Sequence, residues 1–399
     1  MAISTPSITG TVTDTATPPA PLANICVSAR PSAGGAVAGH AKTNAMGTYS
    51  IPAVAAGTYV VKFVGCPSPY WVYQYYNDQY STASANAVTV TTGITTAGIN
   101  AQLVLGGQIT GSVTDNSSPA VPLANMCVSA VFGGGGAPVR PSVQGSTPLP
   151  TSFATQTNST GGYVINGVPA GPYNMGFTDC HRHKYVFLSG SRFIQVNAGA
   201  TTAGVNAVMG LPGEITGTVT NGSIALKGIC ITIPFTAGAT TNSSGFYTLK
   251  LTPGSYQLGF IDCLHHNYLP QWWQNQPTQQ TATFITVSSG VVTSGIDAAL
   301  SLGGKISGVV TNNTKPYMPI SGMCVNAVPD PYNAYGTFGN ATTNAKGGYT
   351  MKDLASGGYT VSFNSCGLPG WAFQDYVGNP VSVFAPGTTG RINGRLAPA

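Results

Sequence analysis

The stretch FTDCHRHKY, residues 177–185, gathers Asp179, Cys180, His181, His183 and Lys184 within six positions. Thiol, imidazole and carboxylate groups this close together are the ingredients of a metal site or of an activated thiolate. A thinner version, with Asp262, Cys263, His265 and His266, follows 83 residues later. What either can do depends on how the chain uses its cysteines.

The eight cysteines fall in four pairs along the chain: Cys26 and Cys66, Cys127 and Cys180, Cys230 and Cys263, Cys324 and Cys366. The second of each pair stands three residues after a phenylalanine, at Phe63, Phe177, Phe260 and Phe363. An even count at recurring places in a strand-rich chain without C-x-x-C motifs predicts structural disulfides within each pair. Each bridge would restrict the unfolded chain by about 3.5–4.5 kcal/mol in the loop-entropy account. Such bridges place the protein outside the cell or on its surface. With Cys180 tied to Cys127, no thiolate nucleophile remains in the opening stretch. His181, His183, His265 and His266 then read as surface loop side chains, because no pair of carboxylates or thiolates accompanies them at ligand spacing. No metal site and no cofactor is expected.

The elements that carry these residues recur. The phrase I-[TS]-G-x-V begins at Ile8, Ile109, Ile215 and Ile306, at spacings of 101, 106 and 91 residues. Each copy continues with [IM]-C-[VI], then a turn T-N-x-x-G-x-Y beginning at Thr43, Thr157, Thr241 and Thr343, then G-x-Y-x-x-x-F ending at the phenylalanine before the second cysteine. Alternation such as Tyr59-x-Val61-x-Phe63 is that of a half-buried strand, and no helical period competes with it. Fifty-two glycines, 29 prolines and abundant Thr, Ser and Asn supply the turns. The fold expected is all-β: four tandem antiparallel Ig-like sandwiches over 1–105, 106–212, 213–303 and 304–399, the second with a loop insertion at 131–153. Joints of only LGG, LPG and LGG predict an elongated, semi-rigid rod.

These motifs resemble the carboxypeptidase regulatory-like domain, a transthyretin-like or prealbumin-like sandwich similar to the B-type repeats of bacterial surface adhesins. The resemblance covers nearly the whole chain. It implies non-catalytic appendages, stalks or surface repeats. The Lys–Asn isopeptide bond of some adhesin repeats is not carried over, since no lysine recurs at one strand position.

Catalytic constellations are missing. The single glutamate, Glu214, lies beside a strand start at a joint, and there is no H-x-x-E, H-E-x-x-H or G-x-S-x-G. Asp14 and Asp115 fit turns, while Asp179 and Asp262 show no partner that would tune a pKa. The run FGGGGAP at 132–138 lacks the Lys-Ser or Lys-Thr of a phosphate loop. The chain is read as non-enzymatic, with no catalytic residue.

Fifteen basic and ten acidic residues are scattered singly, which leaves no track for nucleic acid. No apolar run reaches the length of a membrane span, so no membrane insertion is expected, and MAISTPS lacks the features of a secretory signal. Aromatic segments follow each second cysteine: Trp71, Gln74 and Tyr76; Tyr268, Gln271 and Trp273; Trp371, Gln374 and Tyr376. Copy two has Tyr185 but Leu188 and Gly190 in place of the amide and second ring. Two readings compete for these nine residues. They form ligand-binding surfaces for sugars or proteins, or they plug the sandwich ends, with the glutamine bonded to loop backbone. The expected function is that of an extracellular structural protein, a surface stalk or the subunit of a filament. Its partner would be itself, head to tail, because both termini fall in phase with the internal joints. The alternative is a multivalent carbohydrate-binding or adhesin array acting on a surface glycan or protein.

Overall fold

The computed structural model describes residues 5–66, 68, 70–134, 148–234, 236–331, 337–367 and 370–399. Most of the insertion read at 131–153, and with it most of the FGGGGAP run, lies outside the described residues. The chain divides into two compact units, Met1–Leu211 and Pro212–Ala399. Among the described residues one 3-10 turn, Gln279–Thr281, is the sole helical element, and the rest of the regular structure is strand. No helix is long and apolar enough to cross a membrane.

The first copy sets the pattern. Its strands are β1 (Ser7–Asp14), β2 (Ile25–Pro31), β3 (Gly39–Lys42), β4 (Thr48–Ile51), β5 (Gly57–Gly65), β6 (Gln74–Tyr75), β7 (Val88–Val90), β8 (Thr95–Thr96) and β9 (Ala101–Leu103). One sheet pairs β1 with antiparallel β4 on one side and with parallel β8 and β9 on the other. The second runs β3-β2-β5, with β6 and β7 both on β5. Val27, Ala29, Val61 and Phe63 turn inward with period two and meet Ile8, Val12 and Ile51 of the first sheet in one buried cluster. That contact between two sheet faces makes the unit a sandwich. Corresponding clusters form around Phe177, Phe260 and Phe363. In the first unit a smaller cluster of Val72, Tyr80, Val104 and Leu149 draws on both copies.

The parallel pairing of β1 is interrupted. It runs Ser7–Ile8 against Thr95–Thr96 and resumes at Val12 against Ala101. At the break the Asn100 side chain takes over the acceptor role, receiving the Thr11 N–H at 2.8 Å. Asn206, Asp297 and Asn393 do the same for Ser112, Thr218 and Val309, at 2.9, 2.7 and 2.9 Å. The chain there lies so close that a Cβ on Gly10 would collide with the Ile99 carbonyl, and Gly111, Gly217 and Gly308 stand against Val205, Ile296 and Ile392 in the same way. This explains the invariant glycine of I-[TS]-G-x-V among the four copies.

Two departures from the expected strands are visible. In copy two Val186–Gly190 joins the first sheet beside Ala207–Gly210, whereas β6 and its counterparts in the other copies extend the second sheet. In copy three the G-x-Y-x-x-x-F strand breaks between Tyr256 and Gly259. Gln257 turns aside there, and its Nε2 donates to the carbonyls of Gln279 and Ala282 at 3.0 and 2.9 Å.

Candidate functional site

The four bridges Cys26–Cys66, Cys127–Cys180, Cys230–Cys263 and Cys324–Cys366 each tie the strand holding the first cysteine to the loop after the phenylalanine strand. Cα separations are 5.3–5.9 Å, within the span a disulfide requires. Cys180 is therefore spent.

Asp179 has partners, contrary to the sequence reading. It is 4% exposed, and its two carboxylate oxygens accept N–H bonds from Arg182 at 2.9 Å, Lys184 at 2.8 Å, Tyr185 at 3.2 Å and His181 at 3.4 Å. Burial pushes its carboxyl up, and the four amides together outweigh that and hold it below the ordinary carboxylate range. Asp262 repeats the arrangement with the N–H groups of His265 at 3.0 Å and Asn267 at 2.9 Å, and it too is lowered. Both aspartates shape the disulfide loop. Sequence reasoning missed this because the donors are backbone, which no residue type announces; the recurrence of Asp directly before Cys in two copies was the available signal.

The histidines do not converge. His181 lies on the surface with its Nε2 3.0 Å from Gln156 Nε2, and His183 is exposed. His265 sits 3.8 Å from Asp262. His266 Nδ1 reaches Asp353 Oδ2 at 3.4 Å, and the Lys352 ammonium donates to the His265 carbonyl at 3.1 Å. Burial raises the Asp353 carboxyl above its usual range, while the bond and charge of His266 pull against it. Among the described residues no three His, Cys, Asp or Glu side chains stand together as a metal group would require. Glu214 is the second residue of the strand Gly213–Thr220, not a joint residue.

The aromatic segments are distributed one to a copy. Trp71 and Tyr76 pack against the first core, Tyr185 against the second, Tyr268 and Trp273 against the third, Trp371 and Tyr376 against the fourth. All seven rings are half-buried. Gln74, Gln271 and Gln374 lie opposite the core phenylalanines Phe63, Phe260 and Phe363 in the ladder. Two of the three bond to side chains and not to the loop backbone expected, while Gln374 meets the backbone of a strand. Gln74 Nε2 donates to Asp78 Oδ1 at 3.1 Å and Gln271 Nε2 to Asn275 Oδ1 at 3.2 Å. Gln374 Oε1 accepts the Arg395 N–H at 3.2 Å. In copy two Phe187 occupies the vacated side, stacked on Phe177 with centroids 5.9 Å apart, and Leu188 and Gly190 fall in the strand Val186–Gly190.

No family model matches the chain, and no curated protein does. Among solved structures the minor pilin of Streptococcus agalactiae aligns over 48% of this chain and 94% of its own, at 14% identity and a TM-score of 0.28. A streptococcal ancillary pilin aligns over 72% of this chain and 97% of its own, at 10% identity and 0.30. The major pilin subunit of Bacillus cereus aligns over 74% and 100%, at 10% and 0.20. At such scores these likenesses carry no argument about what the chain does.

Proposed function

We propose that the chain is a non-catalytic extracellular structural protein, a surface stalk or filament subunit built from four tandem sandwiches over 1–105, 106–212, 213–303 and 304–399, each of the carboxypeptidase regulatory-like kind. The observation that carries this reading is where the polar chemistry goes. In all four copies the same hydroxyls and amides are consumed by the fold. Thr43, Thr157, Thr241 and Thr343 are buried, each accepting one N–H and donating to one carbonyl across the sandwich end. The buried acids Asp179 and Asp262 are consumed by loop amides. A chain that repeats one scaffold four times and ties each copy with sulfur is suited to bearing load in an oxidising medium. The aromatic segments are assigned to closing the sandwich ends, in keeping with their packing on the four cores.

Head-to-tail self-association belongs to the same proposal, since a heterologous contact between like units gives an open fibre. Negative-stain microscopy of the purified chain over a hundredfold range of concentration tests it. Filaments whose abundance grows with concentration are expected; dispersed particles throughout would remove the filament and leave the stalk.

A further inference from the structure

The first copy places two cations side by side where the other three place none. In the ladder between β2 and β5, Ser28 faces Lys62 and Arg30 faces Val60. These alternate with the buried Val27, Ala29, Val61 and Phe63, so they share the outer face of the sheet. Lys62 also faces Tyr75 of β6. The pair corresponding to Ser28 and Lys62 is Ser129 with Gly176 in copy two, Thr232 with Gly259 in copy three and Asn326 with Ser362 in copy four. The residue corresponding to Arg30 is Val131, Pro234 and Val328.

Neither cation is matched by an acid. Among the described residues no carboxylate stands within ion-pair distance of Arg30 or Lys62. The Lys62 ammonium lies 4.8 Å from the centre of the Tyr73 ring and 5.7 Å from that of Tyr75. Burial lowers its pKa and the nearby Arg30 lowers it further. Ring faces account for Lys62 lying down on the sheet. Arg30, diagonal to Lys62 across the ladder, adds a second positive charge beside it. Around the two lies a concavity of about 210 Å³, lined by Ser28, Arg30, Val37, Val60, Lys62, Tyr75 and Thr82. It offers two cations, two hydroxyls and an aromatic wall.

We propose that this concavity binds one acidic unit of a saccharide, a carboxylated or sulfated sugar, with Arg30 and Lys62 on the anionic group, Ser28 and Thr82 on ring hydroxyls and Tyr75 along the ring. A fork of guanidinium donors beside an ammonium suits an oxyanion of either kind. The small volume and the single pair of cations favour one charged group over a phosphodiester backbone, which needs a track of them. The site adds a surface attachment to the structural role and does not depend on it.

Calorimetric titration of the full chain tests this with tetragalacturonate, its methyl ester and a sulfated galactotetraose. At least one acidic tetramer is expected to bind at one per chain, weakening as salt rises, with the neutral ester at least tenfold weaker. Arg30→Gln and Lys62→Met are each expected to lose tenfold or more, with melting temperatures no lower than the parent's, while Lys227→Gln binds as the parent does. The proposal fails if ester and acid bind alike, if neither acidic tetramer binds at millimolar concentration, or if both variants bind as the parent does. It also fails if inorganic sulfate matches the tetramers, or if a single-stranded oligonucleotide binds tighter than either.

Discussion

At the scale of single residues, the chain spends its few charges sparingly and for local order. Asp179 is the clearest instance: a buried carboxylate with four backbone donors fixes the loop that carries Cys180. Its folded pKa lies below the unfolded value, so its contribution to stability is complete above the unfolded pKa and disappears as pH falls through the folded one. Asp179→Asn keeps an acceptor and removes the charge. The variant is expected to melt below the parent at pH 7, with the gap beginning to close as pH drops below the unfolded value of about 4 and disappearing as it falls through the lower folded pKa. Calorimetric scans from pH 7 to pH 2.5 check this. A gap of constant size would mean that the loss is one of packing and not of charge. Asp353 has the opposite sign: burial raises its carboxyl, so its ionisation weakens the fold as pH climbs through that raised value.

At the scale of elements, the recurring motifs encode a single device. In each copy a tyrosine hydroxyl, from Tyr49, Tyr163, Tyr247 or Tyr349, donates to the carbonyl of Ile99, Val205, Ile296 or Ile392 at 2.6–2.7 Å. That carbonyl is the one the strand glycine admits. Preceding it, the turn asparagines Asn44, Asn158, Asn242 and Asn344 accept N–H groups two and four residues on, which closes the hairpin that delivers the tyrosine. Gly217→Ala would force the Ile296 segment away and break the Tyr247 bond as well. A loss of about 1–3 kcal/mol is expected, from the collision and the unsatisfied carbonyl. Urea unfolding followed by tyrosine fluorescence measures it; a variant as stable as the parent would show that the glycine is not held by this contact.

Much of this was legible because repetition marks positions that matter. The T-N-x-x-G-x-Y turn, the alternation of Tyr59, Val61 and Phe63, and the phenylalanine-to-cysteine spacing are side-chain patterns, and the strands follow them. Features built from backbone were not legible. The break in the β1 pairing, the amide nest around Asp179 and the kink at Gln257 depend on where N–H and C=O groups point, and only neighbours distant in sequence decide that. The site at Arg30 and Lys62 was hidden differently: two scattered charges, 32 positions apart in the sequence, become adjacent only through the register of β2 on β5.

At the scale of the whole molecule, the account is of one sandwich scaffold used four times, each copy cross-linked within itself. Every bridge joins cysteines 33–53 residues apart, and none crosses from one copy to another. The decisive measurement is peptide mapping of the unreduced protein by mass spectrometry, after alkylation of any free thiol. The account predicts four linked peptide pairs, 26 with 66, 127 with 180, 230 with 263 and 324 with 366, and no alkylated cysteine. Free thiols in the unreduced protein, or a bridge between cysteines of different copies, would contradict it.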